Sequence, residues 1–210
     1  MKILSHRGYW NSPEEKNTVI AFERSFSNGF GTETDIRDYE GELVISHEIA
    51  DEKSIPLELL FKIYKSFDGT LPLALNIKAD GLQTKIDELL KEYKISNYFV
   101  FDMSVPDSLQ YLKHNIKIFS RQSEYEKEPS FYDSTIGIWL DEFQGHWVDK
   151  KTIEYHIKNN KKICIVSPDL HKRGHIKEWA HYKQIEKDLG IINLMICTDY
   201  PEEARRFYYD

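Results

Sequence analysis

The sequence predicts an α/β fold, specifically a compact (β/α)8 TIM barrel with a small excursion after its second strand. Short apolar or β-branched segments alternate with longer segments of helical spacing along the 210 residues. Strands separated by helices need right-handed crossovers, which make the sheet parallel. Eight such units fit a closed barrel, a fold that begins at about 200 residues. An open, doubly wound sheet is the alternative, although no glycine-rich GxGxxG turn follows the first strand.

The first half of the chain contains four of these strands and the excursion. Runs of apolar and β-branched residues indicate strands, in order, at KILSHRG, GTETDIR, LPLALNIKA and NYFVFDM, with ELVISHE as the excursion. A helix is predicted over NTVIAFERSFSNGF because Val19, Phe22 and Phe26 share one helical face. Asn17 or Thr18 can cap its start. The same spacing predicts helices at LELLFKIYKSF, LQTKIDELLKEY and VPDSLQYLKHN.

The second half repeats the alternation and completes the eight strands. Strands are predicted at KIFSRQ, IGIWLDEF, KICIVSP and NLMICTD, and helices at KKTIEYHIKNN and IKEWAHYKQIEKDLG. A polar segment follows KIFSRQ in place of a helix. No repeat or linker interrupts the pattern, so we expect a single domain over residues 1–210.

Charge and composition exclude several classes of partner. The net charge of −7 and the absence of a basic run longer than Lys161–Lys162 argue against nucleic-acid binding. No stretch of eighteen apolar residues and no signal peptide is present, which predicts a cytoplasmic protein without membrane insertion. Cys164 and Cys197 lie in apolar runs and are expected to be reduced core residues. The sequence does not determine an oligomeric state.

Polar pairs lie where the early strands end, which in a TIM barrel is the catalytic face. The pairs are His6–Arg7, Glu33–Asp35, His47–Glu48 and Asn76–Lys78. Residues two apart in a strand lie on one side of it, so the two carboxylates of the second pair share a face. Buried together they need a cation, and oxygen ligands favour Mg²⁺ or Ca²⁺. Any one of these residues alone is more often structural; their coincidence predicts a site.

These motifs resemble those of the glycerophosphodiester phosphodiesterase family and the wider phospholipase-C-like phosphodiesterases. The resemblance is dense over residues 3–80 and rests on HRG, NT with AF two residues later, GTETDIRDYEGELVISHE and LNIK. Near the end of the chain, ICTDYPEEA resembles the family's last strand and its Thr-Asp-x-Pro ending. The resemblance implies a phosphoric diester hydrolase of lipid metabolism. It is specific for the superfamily and not for the substrate.

The resemblance also implies a role for each matching residue. It makes His6 and His47 the acid and base, Arg7 and Lys78 the phosphate contacts, and it makes metal ligands of Glu33, Asp35 and Asn76. The cofactor implied is a divalent ion, Mg²⁺ or Ca²⁺, with Mn²⁺ as a further candidate. The partner implied is a small-molecule phosphodiester.

Three departures from the family pattern bear on this reading. Asn76 stands where the family has a glutamate ligand, which removes one negative charge and should weaken metal affinity. Lys16 interrupts the Glu-Asn-Thr motif and puts a role for Glu15 in doubt. Glu48 replaces the aspartate of the family's His-Asp motif, a mild change.

Later strand ends are expected to face the same mouth and to contact substrate. We expect substrate binding from Arg121 and His171; the other candidates there are Trp10, Asp141, Trp147, Lys172 and Arg173. For Lys172 and Arg173, a solvated loop or a helix entry is the more frequent alternative, and Trp139, which lies inside a strand, is expected to be a core residue. The function predicted is metal-dependent hydrolysis of a small glycerophosphodiester by His/His acid-base catalysis. The alternatives are a non-catalytic phosphate-binding relative, a lyase that releases a cyclic phosphate, and a barrel lyase or isomerase acting on a sugar phosphate.

Overall fold

A computed structural model describes residues 1–191 and 193–210 of the chain. The strands are β1 (Lys2–His6), β2 (Gly31–Tyr39), β3 (Glu42–Ile45), β4 (Ile55–Pro56), β5 (Leu73–Ile77), β6 (Tyr98–Phe101), β7 (Phe119–Gln122), β8 (Gly137–Leu140), β9 (Lys162–Val166) and β10 (Met195–Thr198). The helices are α1 (Val19–Ser27), α2 (Leu57–Ser66), α3 (Gln83–Glu92), α4 (Val105–Lys113), α5 (Lys150–Lys158), α6 (Ile176–Leu189) and α7 (Pro201–Tyr209). The order matches the predicted alternation, with β3 and β4 as the excursion after the second strand.

The final helix, α7, was absent from the sequence prediction. Its signals are a proline at the first helical position and two acidic residues, Glu202 and Glu203, in the first turn. Proline fits the start of a helix, and acidic side chains there complement the helix dipole. The helix is therefore readable from the sequence once these signals are given weight.

The described residues form two compact units, one of residues 5–118 and one of residues 1–4 with 119–210. The single domain expected over 1–210 stays a prediction. Among the described residues, no helix combines the length and the apolarity needed to cross a membrane.

Residues 5–118 form a mixed sheet built around β2. This strand pairs in parallel with β5, which pairs in parallel with β6. On its other half, β2 turns into an antiparallel hairpin with β3 through Glu40 and Gly41, both with positive φ. Two such residues are typical of a tight hairpin turn. Helices α1, α2 and α3 pack apolar faces on this sheet, among them Phe22 and Phe26 of the predicted face.

Residues 119–210, with residues 2–4 of β1, contain a run of parallel strands. In it, β8 pairs with β7 and β9, and β9 pairs with β10. Trp139 is buried in β8, as its position inside a strand predicts. Cys164 and Cys197 are buried free thiols, so the prediction of reduced core cysteines is confirmed.

Candidate active site

The turn that follows β1 has an uncommon backbone conformation. Arg7 and Gly8 both have positive φ, at 59° and 82°. Arg7 N donates to Glu33 O at 2.9 Å, and Gly8 N donates to Thr32 Oγ1 at 3.0 Å. A side chain at Gly8 would lie 2.7 Å from Ala21 Cβ, so only glycine fits between this turn and α1. The turn thereby holds His6 and Arg7 beside β2.

Two carboxylates and an amide lie buried beside that turn. Glu33 and Asp35 on β2 are 2% and 1% exposed, and Asn76 on β5 is 8% exposed. Asn76 is the register partner of Asp35 in the parallel pair. His6 Nε2 lies 3.9 Å from Glu33 Oε2. The strand pairing therefore gathers four of the predicted residues.

Asp35 is held by three partners. Arg7 Nε lies 3.0 Å from its Oδ2 and Lys78 Nζ lies 3.4 Å from its Oδ1. Asn17 Nδ2 donates to Oδ2 at 2.9 Å, while Asn17 Oδ1 accepts from Thr34 Oγ1 at 2.8 Å. The positive charges of Arg7 and Lys78 compensate the free-energy cost of removing the Asp35 carboxylate from water.

Asn17 is a site residue that the sequence reasoning missed. It was expected as an alternative helix cap, whereas the N-cap position of α1 belongs to Thr18. Asn17 instead adopts a φ of 59° and faces Asp35. Asparagine tolerates this left-handed conformation better than most residues. The one sequence signal was its place in the NT motif.

Burial and charge repulsion perturb Glu33. Loss of solvent first, and then the nearby Asp35 carboxylate, raise the pKa of Glu33 to about 8. Arg7, Lys78 and a hydrogen bond with the Asn76 side chain act in the opposite direction. Without a metal ion, burial and the Asp35 carboxylate therefore favour the protonated form of Glu33.

The donor atoms available to a metal ion can be identified directly. Glu33 Oε2, Asp35 Oδ1 and Asn76 Oδ1 are buried and lack hydrogen-bond partners. Buried polar oxygens are normally satisfied, and these three are the hard donors that Mg²⁺ or Ca²⁺ takes. The residues therefore fit a divalent cation. Among the described residues, no group of three or more His, Cys, Asp or Glu side chains is placed to hold a metal, in keeping with the amide at position 76.

The β2–β3 hairpin determines where His47 lies. Ser46 N donates to Asp35 O at 3.1 Å, which sets the residue after it next to the site. His47 Nδ1 lies 2.7 Å from Glu48 Oε1, so an ionised Glu48 assigns the ring proton to Nδ1 and leaves Nε2 as a proton acceptor. Arg7, Asn17 and His47 line the same cavity of about 390 Å³.

Glu15, whose role the interrupted motif put in doubt, lies in a structural contact. Its carboxylate pairs with Arg24 at 2.6 Å and accepts from Asn11 N at 2.8 Å. These contacts secure the segment before α1 and leave Glu15 outside the group of residues around Asp35.

Arg121 and His171 lie in the unit formed by residues 1–4 and 119–210, and both contact one carboxylate there. His171 Nε2 is 2.6 Å from Asp141 Oδ1, and Arg121 Nη1 is 3.7 Å from Asp141 Oδ2. The ring of Phe143 packs on His171 with centroids 4.7 Å apart. Their expected role in substrate binding stays a prediction.

Comparison with known proteins supplies structural relatives. Neither the family models nor the curated protein sequences contain a match to this chain. Among solved structures, a glycerophosphodiester phosphodiesterase from Agrobacterium tumefaciens is 15% identical, with a TM-score of 0.71 and full coverage of both chains. An Oleispira antarctica phosphodiesterase, solved with the product sn-glycerol-3-phosphate, is 15% identical with a TM-score of 0.71, covering 100% of this chain and 97% of that one.

A more distant structure has the same fold. The Ca²⁺-dependent phosphatidylinositol-specific phospholipase C of Streptomyces antibioticus is 8% identical with a TM-score of 0.62, covering 99% of this chain and 95% of that one. The neighbouring phosphodiesterases are TIM barrels, so the predicted fold class is confirmed, as is the resemblance to phospholipase-C-like phosphodiesterases in structure. At these identities the likeness establishes the fold alone.

Proposed function

We propose that the chain is a metal-dependent phosphodiesterase that hydrolyses a small glycerophosphodiester to glycerol phosphate and an alcohol. The observation that carries the proposal is the set of three buried oxygens on Glu33, Asp35 and Asn76 that lack hydrogen-bond partners. They lie next to Arg7 and Lys78, the two positively charged side chains that contact Asp35. Such a site offers oxygen ligands for a metal ion and positively charged hydrogen-bond donors for a phosphate.

Each residue has a defined task in this proposal. Arg7 and Lys78 bind the phosphoryl oxygens and stabilise the charge that grows on them. Lewis-acid stabilisation of the same oxygens is the chemistry that a divalent ion on Glu33, Asp35 and Asn76 supplies. Of His6 and His47, one removes a proton from the attacking group and the other protonates the leaving alkoxide, a contribution of about 10²- to 10⁴-fold in rate.

The finer parts of the sequence prediction belong to this proposal. We also propose that Arg121 and His171 bind substrate, because a guanidinium and an imidazole can each bind an anion or a hydroxyl. We also include a single domain and a cytoplasmic location, on the composition grounds already given.

A panel of glycerophosphodiesters incubated with Mg²⁺, Mn²⁺ or Ca²⁺ tests the function. We expect hydrolysis in at least one combination, and a fall of about 10²- to 10⁴-fold for His6→Ala and for His47→Ala. His114→Ala is the matched control, since His114 pairs with Asp87 away from the site. The assignment fails if no diester is cleaved, or if both site variants are as active as the control. Phosphorus NMR of the products separates hydrolysis from release of a cyclic phosphate.

Asn76 favours one alternative function, a non-catalytic protein that binds a phosphorylated ligand. Without a third carboxylate, the group carries less negative charge, and Arg7 and Lys78 pair with Asp35 without a metal ion. Calorimetric titration of sn-glycerol-3-phosphate with and without Ca²⁺ distinguishes the two. Metal-independent binding together with no turnover would favour the binding protein.

A further inference from the structure

Asn17 connects the turn after β1 with the acidic pair on β2. Its backbone N donates to Arg7 O at 2.9 Å, and its φ is 59°. Its side-chain Nδ2 donates to Asp35 Oδ2 at 2.9 Å, and its Oδ1 accepts from Thr34 Oγ1 at 2.8 Å. Both ends of the amide are therefore engaged by neighbouring residues of one strand.

The chemistry of these two partners fixes the orientation of the amide. A carboxylate only accepts hydrogen bonds, so the NH₂ group of Asn17 has to face Asp35. The hydroxyl of Thr34, which is fully buried, donates to the remaining amide oxygen. A flipped amide would place two acceptor oxygens against each other and leave both without a donor. Thr34 therefore holds Asn17 in the orientation that supports the carboxylate.

The hydrogen bond from Asn17 makes the two oxygens of Asp35 unequal. Oδ2 accepts from Asn17, whereas Oδ1 lies 3.4 Å from Lys78 Nζ and has no hydrogen-bond partner among the described residues. Oδ1 shares that property with the buried Oε2 of Glu33 and Oδ1 of Asn76. The χ2 torsion of an aspartate is broad, so a fixed donor is needed to hold the plane of its carboxylate.

We propose that Asn17 is a positioning residue of the metal site. It holds Oδ2 of Asp35 and thereby reserves Oδ1 as the oxygen available to a divalent cation, and Thr34 orients Asn17 in turn. Hydrogen-bond partners of ligating groups typically contribute 10- to 100-fold to metal affinity. The inference rests on the proposed metal-dependent function and deepens it, because it assigns two residues that support the ligand.

Calorimetric titration of the metal-free protein with CaCl₂, MgCl₂ or MnCl₂ tests the inference in the absence of substrate. Asn17→Gly removes the amide and tolerates the φ of 59°, so we expect the Kd to rise about tenfold or more. Asn115→Gly is the matched control. Asn115 has a φ of 56° in the connection after α4, and its N donates to Leu112 O. Its replacement should leave the Kd unchanged.

Two variants of Thr34 separate positioning from packing. Thr34→Val keeps the volume of the side chain and removes the hydroxyl, whereas Thr34→Ser keeps the hydroxyl and removes a buried methyl group. A positioning role predicts a higher Kd for Thr34→Val and a wild-type Kd for Thr34→Ser. If Thr34 acted by packing alone, Thr34→Ser would raise the Kd and Thr34→Val would not. Urea denaturation with a chelator measures the stability of each variant separately from its metal affinity.

The outcomes distinguish this inference from the proposed function. An unchanged Kd for Asn17→Gly, or equal Kd values for the two Thr34 variants, overturns the inference and leaves the metal site in place. A higher KM for a glycerophosphodiester at an unchanged metal Kd also overturns it, because Asn17 would then act on the substrate. A wild type that binds none of the three ions overturns the inference together with the metal dependence of the proposed function.

Discussion

Replacing Glu33 with glutamine should remove a steep pH dependence from the stability of the metal-free protein. Burial and the Asp35 carboxylate raise the pKa of Glu33 from 4.5 to about 8 in the folded chain. Between these values the folded protein holds a proton that the unfolded chain has released. The contribution of Glu33 to the unfolding free energy is therefore fully present below pH 4.5. It decreases as the pH rises from 4.5 to 8 and does not change further above pH 8.

The size of the effect follows from the shift. One pKa unit corresponds to about 1.4 kcal/mol. Between pH 5.5 and 7.5 the wild type should lose about 2 to 3 kcal/mol of unfolding free energy that Glu33→Gln does not lose. Near pH 5 the two proteins should be similar in stability, because protonated glutamate and glutamine are close in size and neither is charged.

Urea denaturation at several pH values, in the presence of a chelator, measures the difference. Titrating groups that do not interact with Glu33 cancel when the two unfolding free energies are subtracted, so the difference reports Glu33 and its coupling to Asp35. Parallel pH profiles would refute the reasoning, because they would mean that Glu33 is ionised in the folded chain or that water reaches it.

Three further predictions concern single positions. Asn76→Glu should lower the dissociation constant for Ca²⁺ or Mg²⁺ by about tenfold or more, since it adds a charged ligand; calorimetry that detects no change would contradict the ligand assignment. Gly8→Ala should destabilise the fold by at least about 2 kcal/mol in thermal melting, because its φ is 82° and its Cβ would lie 2.7 Å from Ala21 Cβ. An unchanged melting temperature would show that the turn relaxes. His156 is buried, and loss of solvent lowers its pKa from 6.5 to about 4. As the pH falls from 6.5 to 4, the unfolding free energy of the wild type should therefore decrease by about 3 kcal/mol more than that of His156→Asn. Equal pH dependence of the two unfolding free energies would argue against a buried neutral ring.

The order of strands and helices was predictable because hydrophobic spacing carries it. Phe22 and Phe26 lie where a 3.6-residue period places them, and Glu33 and Asp35 share a face of β2 because a strand has a period of two. Both are local properties of the chain, set by backbone geometry. The helix α7 was missed because its first-turn signals were given no weight, although they are equally local.

The partners of these residues were not predictable in the same way. Nothing in the spacing of residues 17 and 35 indicates that an asparagine in left-handed conformation donates to that carboxylate. The same holds for Lys16 and Lys53, which line one cavity although 36 intervening residues separate them along the chain. Contacts of this kind depend on register and on loop paths.

The sequence by itself thus determined the fold class, the residues at the ends of the early strands and the side of β2 that carries the acidic pair. The tertiary structure alone decided that three oxygens in this group are buried without hydrogen-bond partners, that the pKa of Glu33 is raised and that Arg7, Asn17 and His47 line one cavity. The physical reason is that periodicity is a one-dimensional property of the chain. Burial, and the electrostatic cost that comes with it, depends on what surrounds an atom in three dimensions.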